Sequence, residues 1–115
     1  MNIERIECGT RMSKAVIHNG TVYLAGQTSD ASGDAGGQTR EILAKIDAYL
    51  EKAGTDKRHL LKANIWLRDI AHFAEMNTAW DAWVPEGCAP ERATVESHLA
   101  SEELLVEIQV VAALP

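Results

Sequence analysis

"LLVEIQVVAAL", residues 104–114, decides how this chain folds. Alternate residues of an extended chain point to opposite faces. Leu104, Val106, Ile108, Val110 and Ala112 fall on one face, and Leu105, Glu107, Gln109, Val111 and Ala113 on the other. Both faces are largely apolar. A strand with one wet face would alternate apolar and polar residues, so this strand belongs inside a sheet that is covered twice. The rest of the chain must supply those covers.

Two segments have helical periodicity. Residues 38–53 place Ile42, Ile46, Leu50 and Ala53 on one face with Tyr49 at its margin, and Gly54 follows as a helix-ending glycine. Residues 70–84 carry a stripe of Ile70, Phe73, Met76, Trp80 and Trp83 before Pro85, Gly87 and Pro90 break the helix. Strands are expected at 3–8, 13–18, 21–26, 60–67 and 92–99. In 60–67 the inward set is Leu61, Ala63, Ile65 and Leu67. Asn19-Gly20 joins the second and third strands, because a tight hairpin turn needs positive φ at both central residues. "SDASGDAGGQ", residues 29–38, reads as a surface loop. The order is βββαβαββ, an α+β fold in one domain spanning residues 1–115. Its two helices cover only one face of the sheet. The chain has no spare element for the second face, so a second copy must cover it and the protein is a homo-oligomer.

Eleven Lys and Arg against seventeen Asp and Glu leave a net charge of −6. Such a balance offers no electrostatic footprint for a phosphate backbone, so nucleic acid is not the expected partner. No apolar run is long enough for a bilayer, and the N-terminal residues lack a signal-peptide apolar core. No membrane partner and a cytoplasmic location are expected. Cys8, Cys88 and the histidines at 18, 59, 72 and 98 fit no metal-ligand spacing, so neither metal nor cofactor is expected.

Glu107 is the one carboxylate on the apolar, copy-facing side of the last strand, where a lone charge is costly unless paired or used. Arg92, in "CAPERATVES" at 88–97, begins a strand on whose face Thr94, Glu96 and His98 follow. A guanidinium suits two-point binding of a carboxylate, and a carboxylate such as Glu107 suits proton transfer. Spacing alone favours an Arg92–Glu107 ion pair that ties subunits together, because buried ion pairs are commoner than active sites. Asn77 interrupts the second helix stripe, either as a solvated amide or as a site residue. Gly26 ends a strand, either in a plain turn or at a close approach to a ligand. Trp66, Trp80 and Trp83 read as core or interface.

These residues carry a resemblance. "VYLAGQ", "HFAEMNTAW", "PERATVE" and "LVEIQVVAA" occur in the order, and near the spacing, of the motifs of the RidA (YjgF, endoribonuclease L-PSP-like) family of enamine/imine deaminases. The resemblance covers the whole chain. It implies a chorismate-mutase-like mixed sheet assembled as a homotrimer with clefts between subunits. It also implies that the last strand lies inside the sheet and the "PER" strand at an edge, rather than the two forming a hairpin. The function implied is hydrolytic deamination of 2-enamino or 2-imino acids to 2-oxo acids and ammonia. Carried over residue by residue, Arg92 holds the substrate carboxylate and Glu107 positions or activates water. Gly26 lines the cleft, Asn77 lies near it, and Thr94 takes a position often held by cysteine. Met12 stands where the family's cleft-bordering tyrosine usually stands, and Pro90-Glu91-Arg92 replaces Pro-Ala-Arg. Both departures mark a divergent subgroup. The alternative is a non-catalytic trimer that binds small carboxylates or 2-oxo acids in the same cleft.

Overall fold

The structure, a computed structural model, describes residues 2–30 and 33–115. Its strands are β1 (Glu4–Ile6), β2 (Ala15–His18), β3 (Thr21–Leu24), β4 (Leu60–Leu67), β5 (Glu91–Glu96) and β6 (Val106–Ala113). Its helices are α1 (Ala35–Ala53) and α2 (Phe73–Trp83), and the element order is the expected βββαβαββ. The strands form one mixed sheet in the order β1-β2-β3-β6-β4-β5. β6 lies between β3 and β4 and runs antiparallel to both. β5 is an edge strand parallel to β4, so β5 and β6 are not a hairpin.

The double-faced pattern of 104–114 explains that central place. Val106, Ile108, Val110 and Ala112 are buried against the helix layer. Glu107, Gln109, Val111 and Ala113 are half-buried on the other face, which no element among the described residues covers. Asn19 (φ 51°) and Gly20 (φ 75°) form the expected turn between β2 and β3. Gly54 (φ 93°) caps α1 in the left-handed region, and its N–H donates to the Leu50 and Glu51 carbonyls.

Several boundaries move, each for a local reason. α1 begins at Ala35 rather than 38, because the Asp34 carboxylate caps it by accepting from Gly37 N at 2.7 Å. The expected loop at 29–38 is thereby shortened to its first half, of which residues 31 and 32 lie outside the described residues. α2 is preceded by a 3₁₀ turn at Ile70–His72, capped by Asp69. β1, β2 and β3 are shorter than expected, and β5 ends at Glu96, so His98 is not on its face. A register irregularity between Leu60 and Lys62 buries Leu60 and leaves Leu61 half exposed, which corrects the inward set of β4. Ile70 and Phe73 are likewise exposed rather than core.

Gln38 joins three segments from within the core. Its Nε2 donates to the Gly33 and Glu103 carbonyls, and its Oε1 accepts from Leu105 N at 2.8 Å. Arg68 holds the same link from the other side, donating to the carbonyls of Leu99, Ser101 and Leu104. These bonds replace the strand pairing that the β5–β6 link lacks.

Candidate functional site

Arg92 sits on edge strand β5 in register with Ala63 of β4, and Ala63 is fully buried on the helix side. Residues in register share a face, so Arg92 points toward α2. There its Nη1 donates to Asn77 Oδ1 at 2.8 Å. Its guanidinium carbon lies 5.3 Å from the Trp80 ring centroid and 5.9 Å from that of Phe73. Phe73, Asn77 and Trp80 are spaced by four and three residues, which puts them on one helix face as a cradle for the cation. Reading that spacing across from Arg92 could have found the two aromatics, which the sequence analysis placed in an apolar stripe.

Burial lowers the Arg92 pKa from its ordinary value, and the Asp81 carboxylate partly offsets this. The group stays charged, as guanidinium does in folded proteins. No carboxylate lies within 4 Å of it among the described residues, and Asn77 is its one hydrogen-bond partner there. Most of its N–H groups are therefore unclaimed. Thr94 follows two residues along the same face, and its Oγ1 is buried without a hydrogen-bond partner.

Glu107 lies elsewhere. On β6 it is in register with Trp66, which is in register with Val95. Trp66 is three residues from Ala63, so this row lies on the face opposite Arg92. Glu107 packs against Gly26, which follows β3. A methyl group at Gly26 would stand 3.1 Å from Glu107 Cδ and nearer still to Oε2, so only glycine leaves the carboxylate its place. The sequence-derived residues thus form two half-sites in one chain: Arg92, Asn77 and Thr94 toward α2, and Gly26 with Glu107 on the uncovered face. Met12 joins neither. It is 50% exposed in the loop between β1 and β2, where its carbonyl accepts from Gly9 N. Of the tryptophans, Trp80 borders the Arg92 cradle and Trp66 flanks Glu107. Trp83 packs at the edge of the core and donates to Asp47. Among the described residues no cluster of His, Cys, Asp and Glu could hold a metal ion, and no helix is long and apolar enough to cross a membrane.

Residues 2–114 match the family described as Endoribonuclease L-PSP. The chain is 48% identical over 114 residues to RutC family protein YoaB of Escherichia coli (strain K12), covering 99% of this chain and all of YoaB. The crystal structure of NMB1025 from Neisseria meningitidis, a member of the YjgF protein family, superposes with a TM-score of 0.98 at 43% identity, covering 100% of this chain and 97% of that one. That of YyfA from Yersinia pestis, from the conserved Rid protein family, superposes with a TM-score of 0.92 at 29% identity, covering 98% and 100%.

Proposed function

The chain belongs to the endoribonuclease L-PSP (YjgF/RutC) family, and from that premise we propose that it hydrolyses 2-imino acids, the tautomers of 2-enamino acids, to 2-oxo acids and ammonia. The observation that carries this reading is the unclaimed edge of the Arg92 guanidinium, held by Asn77 between two aromatic rings with no carboxylate within 4 Å of it among the described residues. An in-chain ion pair with Glu107 would need both groups on one face, and they lie on opposite faces. A cradled, unpaired guanidinium fits a carboxylate brought by a ligand.

In this reading the substrate carboxylate docks on Arg92, and the buried Thr94 hydroxyl and backbone add contacts. Water attacks the C=N carbon, and its oxygen forms the new C–O bond while the C=N π pair moves to nitrogen. Glu107 takes a proton from the water and returns it to that nitrogen. Glu107 next takes the carbinolamine O–H proton and delivers it to the amine nitrogen; the C–N bond breaks with its electron pair going to nitrogen, ammonia leaves and the C=O of the 2-oxo acid forms. Positioning and proton transfer suffice for this reaction. Because the half-sites face apart, the cleft closes only when one copy sets its β5 edge against the uncovered face of another. A homotrimer with three such clefts meets that need, and it also covers Val111, Tyr23 and Trp66.

The test is release of ammonia or oxo acid from 2-iminopropionate generated in situ. Wild type accelerates it, and Arg92→Ala lowers kcat/KM by about 10²-fold or more, the loss of a charge-assisted two-point contact of about 3 kcal/mol. An undiminished rate in Arg92→Ala removes the reading. Met12, which cannot donate a hydrogen bond where relatives of the resemblance carry a tyrosine, favours a second reading: a trimer that binds small carboxylates without turnover. It is distinguished by 2-oxo acid binding that Arg92→Ala abolishes, with no acceleration of hydrolysis by wild type.

A further inference from the structure

A pocket of about 380 Å³ opens where β1, β2 and the loop between them meet. Arg5 lines it from β1, in register with Val16, and Val16 is in register with Tyr23 on the uncovered face of the sheet. Arg11 enters from the loop. There the Gly9 N–H donates to the Met12 carbonyl at 2.8 Å and closes a turn that carries Arg11. Two guanidiniums thus share one pocket, and no Asp or Glu lines it.

Their charge is not balanced nearby. Neither arginine has an ion pair or a side-chain hydrogen bond among the described residues. The acidic residues beside them in sequence face away. Glu4 is in register with the core residue Ile17, so it points to the helix side. Glu7 is held at 2.6 Å by Lys52 and at 3.3 Å by Tyr49, both on α1. The pocket also borders the Glu107 half-site. β2 and β3 pair up to Ala15 and Leu24, and Ala25 N then donates to the Lys14 carbonyl at 2.9 Å. Ser13, which lines the pocket, therefore stands across from Gly26, one strand spacing or about 5 Å away. Gly26 in turn abuts Glu107. Both arginines are exposed and solvated in the single chain. A second copy set against this face would take them out of water, and a desolvated guanidinium needs an anionic partner.

We infer that this pocket receives the far end of the substrate, and that the preferred 2-imino acid carries a second carboxylate on its side chain, bound by Arg11. Arg5 adds attraction from the opposite wall. The inference rests on the deaminase reading above. Arg92 of one copy takes the carboxylate beside the C=N carbon, Glu107 of the other serves that carbon, and the side chain runs past Gly26 and Ser13 toward Arg11. A planar guanidinium matches a carboxylate at two points, and an alkyl side chain in the same place leaves that charge unpaired. Arg11 is a specificity-determining residue in this arrangement and takes no part in the proton transfers.

The test compares kcat/KM for 2-iminoglutarate and 2-iminopropionate, each generated in situ, in wild type, Arg11→Gln and Arg11→Lys. Wild type should favour the dicarboxylic imine by about tenfold or more, Arg11→Gln should remove most of that preference, and Arg11→Lys should keep part of it. Equal kcat/KM for the two imines in wild type, or a ratio that Arg11→Gln leaves unchanged, overturns the inference while the deaminase reading stands. Hydrolysis of neither imine overturns both. An unchanged ratio with a lower mass by light scattering in Arg11→Gln also overturns the inference, because the arginine then pairs with a carboxylate of a neighbouring copy instead of the substrate.

Discussion

Replacing Gly26 by alanine puts a methyl group 3.1 Å from Glu107 Cδ, 3.4 Å from Cγ and closer than either to Oε2. Favourable contacts between such atoms lie near ~3.5–4.0 Å, so the carboxylate must retreat by roughly 1 Å. Gly26 does not have a positive φ, so the backbone itself accepts alanine. The obstacle is the end of a flexible side chain, which can rotate. An off-rotamer χ costs about 1 kcal/mol, and the loss of stability should stay within about 1–2 kcal/mol. Catalysis is far less tolerant, since a misplacement of about 1 Å at a reacting group can cost about 10²-fold in rate. Gly26→Ala should therefore keep a near-native urea midpoint while kcat for 2-iminopropionate hydrolysis falls by about 10²-fold. Gly33→Ala is the control, because a methyl group there meets nothing within 4 Å. Full activity in Gly26→Ala would refute both the contact with Glu107 and its part in proton transfer. A collapse of stability equal to the loss of activity would refute the claim that the effect is local.

Two further outcomes follow from the packing. Tyr23 is 47% exposed on the uncovered face, between Val16 and Val111 in register; if the proposed trimer forms through this face, Tyr23→Glu should leave the circular dichroism of the single chain unchanged but lower the mass measured by light scattering toward that of a monomer, because assembly would bury an unpaired carboxylate at a cost of several kcal/mol. An unchanged mass would remove that face as the interface. Gln38→Leu should lower unfolding free energy by about 2–4 kcal/mol in urea, because the Leu105 amide and the Glu103 carbonyl lose their buried partner. A change below about 0.5 kcal/mol would show that water replaces it.

Local pattern was enough for the number and order of the elements. The Asn19-Gly20 turn, the Gly54 cap and the helical stripe through Ile42, Ile46 and Leu50 depend on neighbours within a few residues, and they stand where the sequence placed them. The central place of β6 was legible for the same reason, since apolar residues on both sides of one strand need two covers wherever the strand lies. Boundaries were less legible. The start of α1 lies inside a stretch rich in glycine and small polar residues that looks like loop, and the Asp34 side-chain acceptor offsets the low helix propensity of Gly36 and Gly37.

What a side chain faces depends on pairings between distant segments, and those only the tertiary structure decided. Leu61 left the core because of a register irregularity against β6, and Phe73 left it to flank Arg92. Arg92 and Glu107 were both legible as candidates, one from its strand and one from its apolar surroundings. That they lie on opposite faces follows from β4 pairing with Arg92 through Ala63 and with Glu107 through Trp66, three residues on. An odd offset along a strand reverses the face, and no spacing between 92 and 107 in the sequence contains that number. The sequence by itself therefore named the charged groups of the candidate site. The sheet register placed them on opposite faces of one chain, so under the proposed reading a second copy would have to bring them together.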